Sequence, residues 1–321
     1  MVNKFDVPNM ICAAQKEALR RQEELSAGLY APGQSLEEMR KGYEKERKWW
    51  NEGGPQPVST SNFVVNTRHG EVAVRCHRGS AAAKLPVIIY IHGGGFALGS
   101  IDTHDRITRV LADETRAAVF NVNYSLSPEA KYPQPVEECA DVVEYLRAQA
   151  ATLDIDGDDI SFAGDSGGAN LSFATYIYLR THQRHQGIRA MLLFYGVYGL
   201  RDSVSMRLFG GAWDGLTAED YDMYKNYYFS NKTDERDKYF DILSNDLTRD
   251  VPAAFIAAAE FDPLKDESKA LAKIYRYFGN PYEYVEVPGV LHAFIHFGRI
   301  LPATNETLSQ AAKFFLTAKT N

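Results

Sequence analysis

The sequence predicts an α/β fold: a mainly parallel central sheet, helices on both of its faces, and a helical cap. Three observations carry this. Continuous apolar runs such as Pro86-Val87-Ile88-Ile89-Tyr90-Ile91 have the character of strands buried on both faces. Between such runs lie segments whose apolar residues recur at helical spacing. Two stretches, about 1–50 and 197–240, stand outside that alternation.

Taken in order, residues 1–50 are polar and helical in pattern, ending in Lys48-Trp49-Trp50. Gly53-Gly54-Pro55-Gln56-Pro57-Val58-Ser59 then reads as a linker. Asn62–Asn66 and Glu71–Cys76 flank the turn-like Thr67-Arg68-His69-Gly70, and Val72, Val74 and Cys76 alternate with more polar neighbours, as in a hairpin. The hairpin places antiparallel strands at one sheet edge. After the run ending at Ile91, a helix beyond Asp102 sets Ile107, Val110 and Leu111 on one face. The strand 118–123 follows, then a helix with Pro135 in its first turn, where proline's missing N–H is harmless. Strand 159–163, a helix beyond Gly168 and strands 190–194, 254–258 and 282–287 continue the alternation, and a last helix carries Leu308, Ala312 and Phe315. A parallel sheet covered on both faces is the architecture this order requires.

The insertion 197–240 is different. Phe209, Trp213, Tyr221, Tyr224, Tyr227, Tyr228 and Phe229 sit among polar residues, with Tyr221, Tyr224 and Tyr228 at helical spacing. It reads as a helical element that buries one aromatic face and walls a pocket, and residues 1–50 join it in the cap. Its carboxylates include Asp214, Glu219, Asp220 and Asp222. The whole chain, 1–321, is read as one domain with these cap elements.

Composition narrows the function. A formal net charge of −7 disfavours nucleic acid and anionic membranes as partners. No stretch approaches the roughly 20 apolar residues of a membrane span. The start, Met1–Pro8, lacks the apolar run of a signal peptide. Three cysteines, Cys12, Cys76 and Cys139, are an odd number without paired spacing, which suits a reducing, cytoplasmic setting.

Two glycine-rich motifs carry chemistry. Gly164-Asp165-Ser166-Gly167-Gly168 fits Gly-x-Ser-x-Gly, a weak signal by itself. Its context is strong: an apolar strand precedes it and a helix follows. A sharp strand-to-helix turn lifts a serine oxygen clear of the sheet, and the helix N-terminus places partial positive charge beside a developing anion. His92-Gly93-Gly94-Gly95-Phe96 directly follows the strand ending at Ile91. Successive glycines let a loop aim several N–H groups at one point, as an oxyanion demands. The loop lacks the Lys-Ser/Thr ending of a phosphate loop and the spacing of a dinucleotide site.

A serine nucleophile needs a base, and the base an orienting acid, in the chain order Ser, acid, His. Of eight histidines, His292 and His296 lie well beyond the serine in a strand-then-loop setting. His292 directly follows the final strand and its turn, so it is the expected base; His296 is read as a packed or surface residue. His182 and His185 fall near the end of the helix after the elbow, on the wrong side of the sheet. The acid should follow the preceding strand, where Asp262 leads, with Glu260 and Asp266 as rivals. Helix capping is the ordinary alternative role for such a carboxylate. His292 and His296 also have the spacing of metal ligands, yet no zincin glutamate or cysteine accompanies them, so neither a metal nor another cofactor is expected.

Together His92-Gly93-Gly94-Gly95-Phe96, Tyr124-Ser125-Leu126-Ser127-Pro128-Glu129, Gly164-Asp165-Ser166, Asp262-Pro263-Leu264 and His292-Ala293-Phe294 resemble the motifs of the hormone-sensitive-lipase family of α/β-hydrolases. The similarity runs from about residue 50 to the C-terminus. Stretches 207–217 and 246–252 are most similar to the family's bacterial acetyl esterases. The resemblance implies an α/β-hydrolase fold and hydrolysis of short acyl esters, acetyl to butyryl, through an acyl-enzyme. It implies a triad of Ser166, Asp262 and His292, with the N–H groups of Gly94, Gly95 and Gly167 as oxyanion donors and His92 and Gly93 in the oxyanion loop. Gly167 departs from the family, which usually has alanine there. A homodimer, and a regulatory protein partner in place of or beside esterase activity, also fit the resemblance.

Overall fold

The computed structural model describes residues 5–213 and 215–318; Asp214, counted above among the insertion's acids, and the outermost terminal residues lie outside them. Eight strands form one sheet in the order β1-β2-β4-β3-β5-β6-β7-β8. They are β1 (Ser59–Thr67), β2 (Gly70–Arg78), β3 (Leu85–Ile91), β4 (Ala118–Asn123), β5 (Ile155–Asp165), β6 (Ile188–Phe194), β7 (Ala253–Phe261) and β8 (Tyr282–Leu291). The expected hairpin is β1–β2, and β2 alone runs against the other strands. From β4 to β8 every pairing is parallel.

The helices are α1 (Val7–Met10), α2 (Ala13–Ser26), α3 (Leu36–Asn51), α4 (Asp105–Thr115), α5 (Gln134–Ala148), α6 (Ala150–Leu153), α7 (Gly167–Thr181), α8 (Val204–Leu208), α9 (Ala218–Tyr228), α10 (Lys265–Phe278) and α11 (Pro302–Thr317). Strand periodicity divides the core between two faces. Val87, Ile89 and Ile91 of β3 enter one apolar cluster with α5, α7 and α10. Ile88 and Tyr90 enter the other, with α4 and α11. The parallel strands are therefore apolar on both sides, as their continuous runs require.

The stretch 1–50 does form helices, and local chemistry starts them. Ser35 caps α3 by accepting from the Glu38 N–H (3.2 Å), while Glu38 accepts from the Ser35 N–H (2.8 Å). Non-local bonds then fix these helices against the body. The Leu291 N–H donates to Gln15 Oε1 (3.3 Å), Arg40 Nε donates to the Ala97 carbonyl (2.8 Å), and the Trp50 ring packs on Phe297 with centroids 4.9 Å apart. The insertion supplies α8 and α9, the second capped reciprocally by Thr217 and Asp220 (2.9 and 3.1 Å).

Candidate active site

Parallel strands deliver their C-terminal ends to one edge, and an open α/β sheet binds ligands there. β3 ends in the His92–Gly95 loop, β5 in Ser166, β7 in Asp262 and β8 in His292. Register makes them neighbours: Ile91 pairs with Gly164 and Phe261 with Leu291. Four chemically able segments, distant in sequence, thus meet by topology alone.

Ser166 sits on the expected sharp turn. Its backbone adopts φ 52° and ψ −122°, a sparsely populated combination for a residue with a side chain. Its own N–H donates to the Phe194 carbonyl (2.9 Å), and α7 begins at the next residue. Close packing requires a glycine beside it: a Cβ on Gly168 would fall 2.1 Å from the Ile91 carbonyl oxygen.

His292 links the serine to a carboxylate. Its Nε2 lies 2.9 Å from Ser166 Oγ and its Nδ1 2.8 Å from Asp262 Oδ2. Asp262 is fully buried, and its other oxygen accepts from the Leu264 N–H (2.7 Å), which fixes the carboxylate plane. The rival acids are committed elsewhere. Glu260 accepts from the Gly289 N–H (2.7 Å), and Asp266, in the first turn of α10, accepts from the Ser205 N–H (2.8 Å). His182 terminates α7 with Nδ1 2.8 Å from the Tyr178 carbonyl, away from these groups.

The glycine loop lies against the elbow. Gly94, Gly95 and Gly167 line the same cavity as Ser166 and His292. Gly94 adopts φ 115°, open to glycine, and a Cβ there would strike the Leu98 carbonyl. His92 is buried and stacked on Tyr124 (4.4 Å), with Nδ1 2.9 Å from the Gly93 carbonyl. Burial lowers its pKa to about 3, so the ring is neutral and donates from Nδ1. The Gly93 N–H in turn donates to Asp165 Oδ1 (3.0 Å). At Gly167 a Cβ would lie 3.3 Å from the Phe96 ring, which itself lies flat on Tyr228 (3.9 Å). The smaller residue leaves room for that stack.

Sequence reasoning missed what stands behind the elbow. Asp165 also accepts from the Tyr90 hydroxyl (2.7 Å) and faces His104 Nε2 at 3.3 Å and His296 Nε2 at 3.9 Å. Burial alone would raise the Asp165 carboxyl, but His104, His296 and the Tyr90 hydroxyl together more than offset it and hold the group below the usual carboxylate range. His296, by contrast, is pushed well below its ordinary pKa by burial. It is thus a packed residue, and its neighbours are Asp165 and His104, with their possible ligand atoms within 4.8 Å of one another. By residue type those three could hold a metal ion. Asp165 Oδ1, however, is already engaged by two hydrogen-bond donors.

Tyr43 of α3, Tyr221 and Tyr224 of α9, Phe96 and Phe240 wall the cavity, which has a volume of about 120 Å³. The rings of the insertion were legible from their helical spacing. Tyr43 and Arg47 were not, although their i, i+4 spacing places them on one helix face. Nothing local in α3 says that this face turns toward Ser166.

Comparison with known proteins agrees with this fold. Residues 88–296 match a family model described as alpha/beta hydrolase fold. Acetyl esterases of Salmonella paratyphi B and Salmonella typhi are each 45% identical over 282 residues, covering 88% of this chain and 87% of theirs. A solved structure of a hyperthermophilic esterase from the archaeon Pyrobaculum calidifontis superposes with a TM-score of 0.87 at 30% identity, covering 93% of this chain and 96% of that one. A thermostable carboxylesterase cloned from a metagenomic library gives 0.85 at 29% identity, covering 90% and 99%. By family match, by identity and by fold, this chain belongs to the α/β-hydrolase family.

Proposed function

We propose that this protein is a carboxylic ester hydrolase that cleaves short-chain acyl esters at Ser166. The observation that carries the reading is the hydrogen-bonded line Asp262–His292–Ser166 at the edge of a parallel sheet. His292 takes the serine proton as Oγ attacks the ester carbonyl, and Asp262 holds the imidazole in the tautomer that can accept it. The N–H groups of Gly94, Gly95 and Gly167 face the oxyanion, each donor worth about 2.7–4 kcal/mol in comparable sites. Collapse of the tetrahedral adduct breaks the acyl C–O bond, and His292 returns its proton to the leaving alcohol. Water then repeats the sequence on the acyl-serine and frees the acid.

The N-terminal helices and the insertion act as the cap in this reading, and their rings limit the acyl group. A buried methylene gains about 0.8 kcal/mol only where apolar wall receives it. Tyr43, Tyr221, Tyr224 and Phe240 enclose a small cavity. The specificity constant should therefore peak at acetyl to butyryl among nitrophenyl esters and fall steeply beyond. A constant that keeps rising through decanoyl would refute the short-chain reading. The three unpaired cysteines favour a cytoplasmic setting. A homodimer and a regulatory partner rest on the resemblance alone, and the geometry speaks for chemistry at Ser166.

A further inference from the structure

Arg47 is the group in the cavity that the ester chemistry above does not use. It sits on α3, is only 4% exposed, and lines the same cavity as Ser166, Gly94 and His292. Its guanidinium lies near two rings, with Cζ 4.8 Å from the Tyr43 centroid and 5.7 Å from that of Phe297. The carboxylate beside it, Glu46, is buried as well: its Oε2 stands 3.5 Å from Nε, an ion pair longer than a good hydrogen bond, while its Oε1 accepts from Trp50 Nε1 (2.9 Å). Arg47 Nε and Nη1 have no hydrogen-bond partner among the described residues. Buried donors left unpaired are costly, and each calls for an explanation.

Other donors nearby are unpaired too. Gln15 Nε2 and Trp213 Nε1 are also unpartnered, and both border a small cavity that Arg47 and His292 share. The Gln15 amide cannot usefully flip, because its oxygen accepts the Leu291 N–H. The cavity's other cation, Lys225, is already paired, 3.0 Å from Asp222 and 3.7 Å from Glu235.

Position says which half of the substrate Arg47 meets. A groove between the N-terminal helices and the insertion adjoins the cavity, and Tyr43, Arg47, Leu98, Gly215 and Tyr224 line both. Arg47 is one of the residues on that shared boundary. With the acyl group at the serine, the alcohol half of the ester is taken to lie toward this shared boundary.

We infer that the natural substrates are acyl esters of hydroxy acids, whose free carboxylate is gripped by the Arg47 guanidinium as the acyl group reaches Ser166. The inference rests on the ester-hydrolase reading and deepens it. The planar guanidinium matches a carboxylate with two parallel hydrogen bonds, whereas a lysine ammonium offers only a point charge. The chain's net charge of −7 gives no long-range help, since charges beyond about 8 Å are screened at physiological salt. Recognition must then come from contact.

The test compares 4-acetoxybenzoate with its neutral isostere 4-acetoxybenzamide. The quantity read is the ratio of their kcat/KM values in wild type divided by the same ratio in Arg47→Gln, which cancels intrinsic ester reactivity. Charge-assisted hydrogen bonds of ordinary strength predict a value of about ten to a hundred, with Arg47→Lys in between. A value near one, in variants that melt like wild type, overturns the inference while leaving the esterase reading standing. Turnover of neither ester by wild type would instead remove both. Should Arg47→Gln fail to fold, inhibition of wild type by the product alcohols decides: 4-hydroxybenzoate should inhibit at least tenfold better than 4-hydroxybenzamide, and equal inhibition overturns the inference.

Discussion

At the scale of single residues, the site depends on a serine held where serine is seldom found. A φ of 52° persists at Ser166 because β5 and α7 on either side of it are held by packing. Asp262 is the residue whose role is most sharply separated from its neighbours. Asp262→Asn keeps the volume but offers the wrong hydrogen-bond pattern to His292 Nδ1, so kcat should fall on the order of a thousandfold or more. Glu260→Gln and Asp266→Asn should cost far less, because each bonds to a backbone N–H rather than to the imidazole. Steady-state kinetics on the three variants checks this; the largest loss at Glu260 or Asp266 would reassign the acid. Ser166, Asp262 and His292 were legible in the sequence because each directly follows a strong apolar strand in a fixed chain order. Tyr90 and His104 were not, since their partner Asp165 lies far away in sequence, and nothing in the local helix pattern of Arg47 shows that its face turns toward the serine.

At the scale of elements, α10 carries a buried switch on stability. Glu267 is fully buried, and its Oε2 accepts the N–H groups of Tyr198 (2.8 Å) and Leu200 (3.0 Å), tying α10 to the chain leaving β6. Burial raises its pKa from 4.5 to about 8. Between those two values the folded protein holds a proton that the unfolded chain has lost. Stability from this group is therefore complete below the lower value and declines as pH rises through the window, by at most about 1.4 kcal/mol per unit. Glu267→Gln imitates the protonated acid and should flatten that dependence, becoming more stable than wild type at pH 8.5. Urea denaturation of both proteins from pH 5.5 to 8.5 measures the difference; parallel curves would contradict it. Strands and covering helices could be read from periodicity, since each apolar run meets the sheet it helps build. The seat of α2 and α3 could not. It is fixed by bonds such as Arg40 to the Ala97 carbonyl and Leu291 to Gln15, between residues dozens to hundreds of positions apart.

At the scale of the whole molecule, chemistry and selectivity fall on separate parts in the proposed reading. The sheet edge presents Ser166, Asp262, His292 and the glycine loop, while residues from α3 and the insertion close the space above them. Altering the rings or Arg47 should change which ester is preferred; altering the sheet-edge residues should change whether any ester is cleaved. All of this rests on Ser166 being the nucleophile. The direct measurement treats the intact protein with a fluorophosphonate, locates the adduct by mass spectrometry, and follows nitrophenyl acetate turnover in wild type and Ser166→Ala. The predicted result is one adduct, on Ser166, absent from a variant that folds normally and has lost about a thousandfold or more of its turnover. An adduct on another serine, or a folded Ser166→Ala variant within tenfold of wild type, would contradict it.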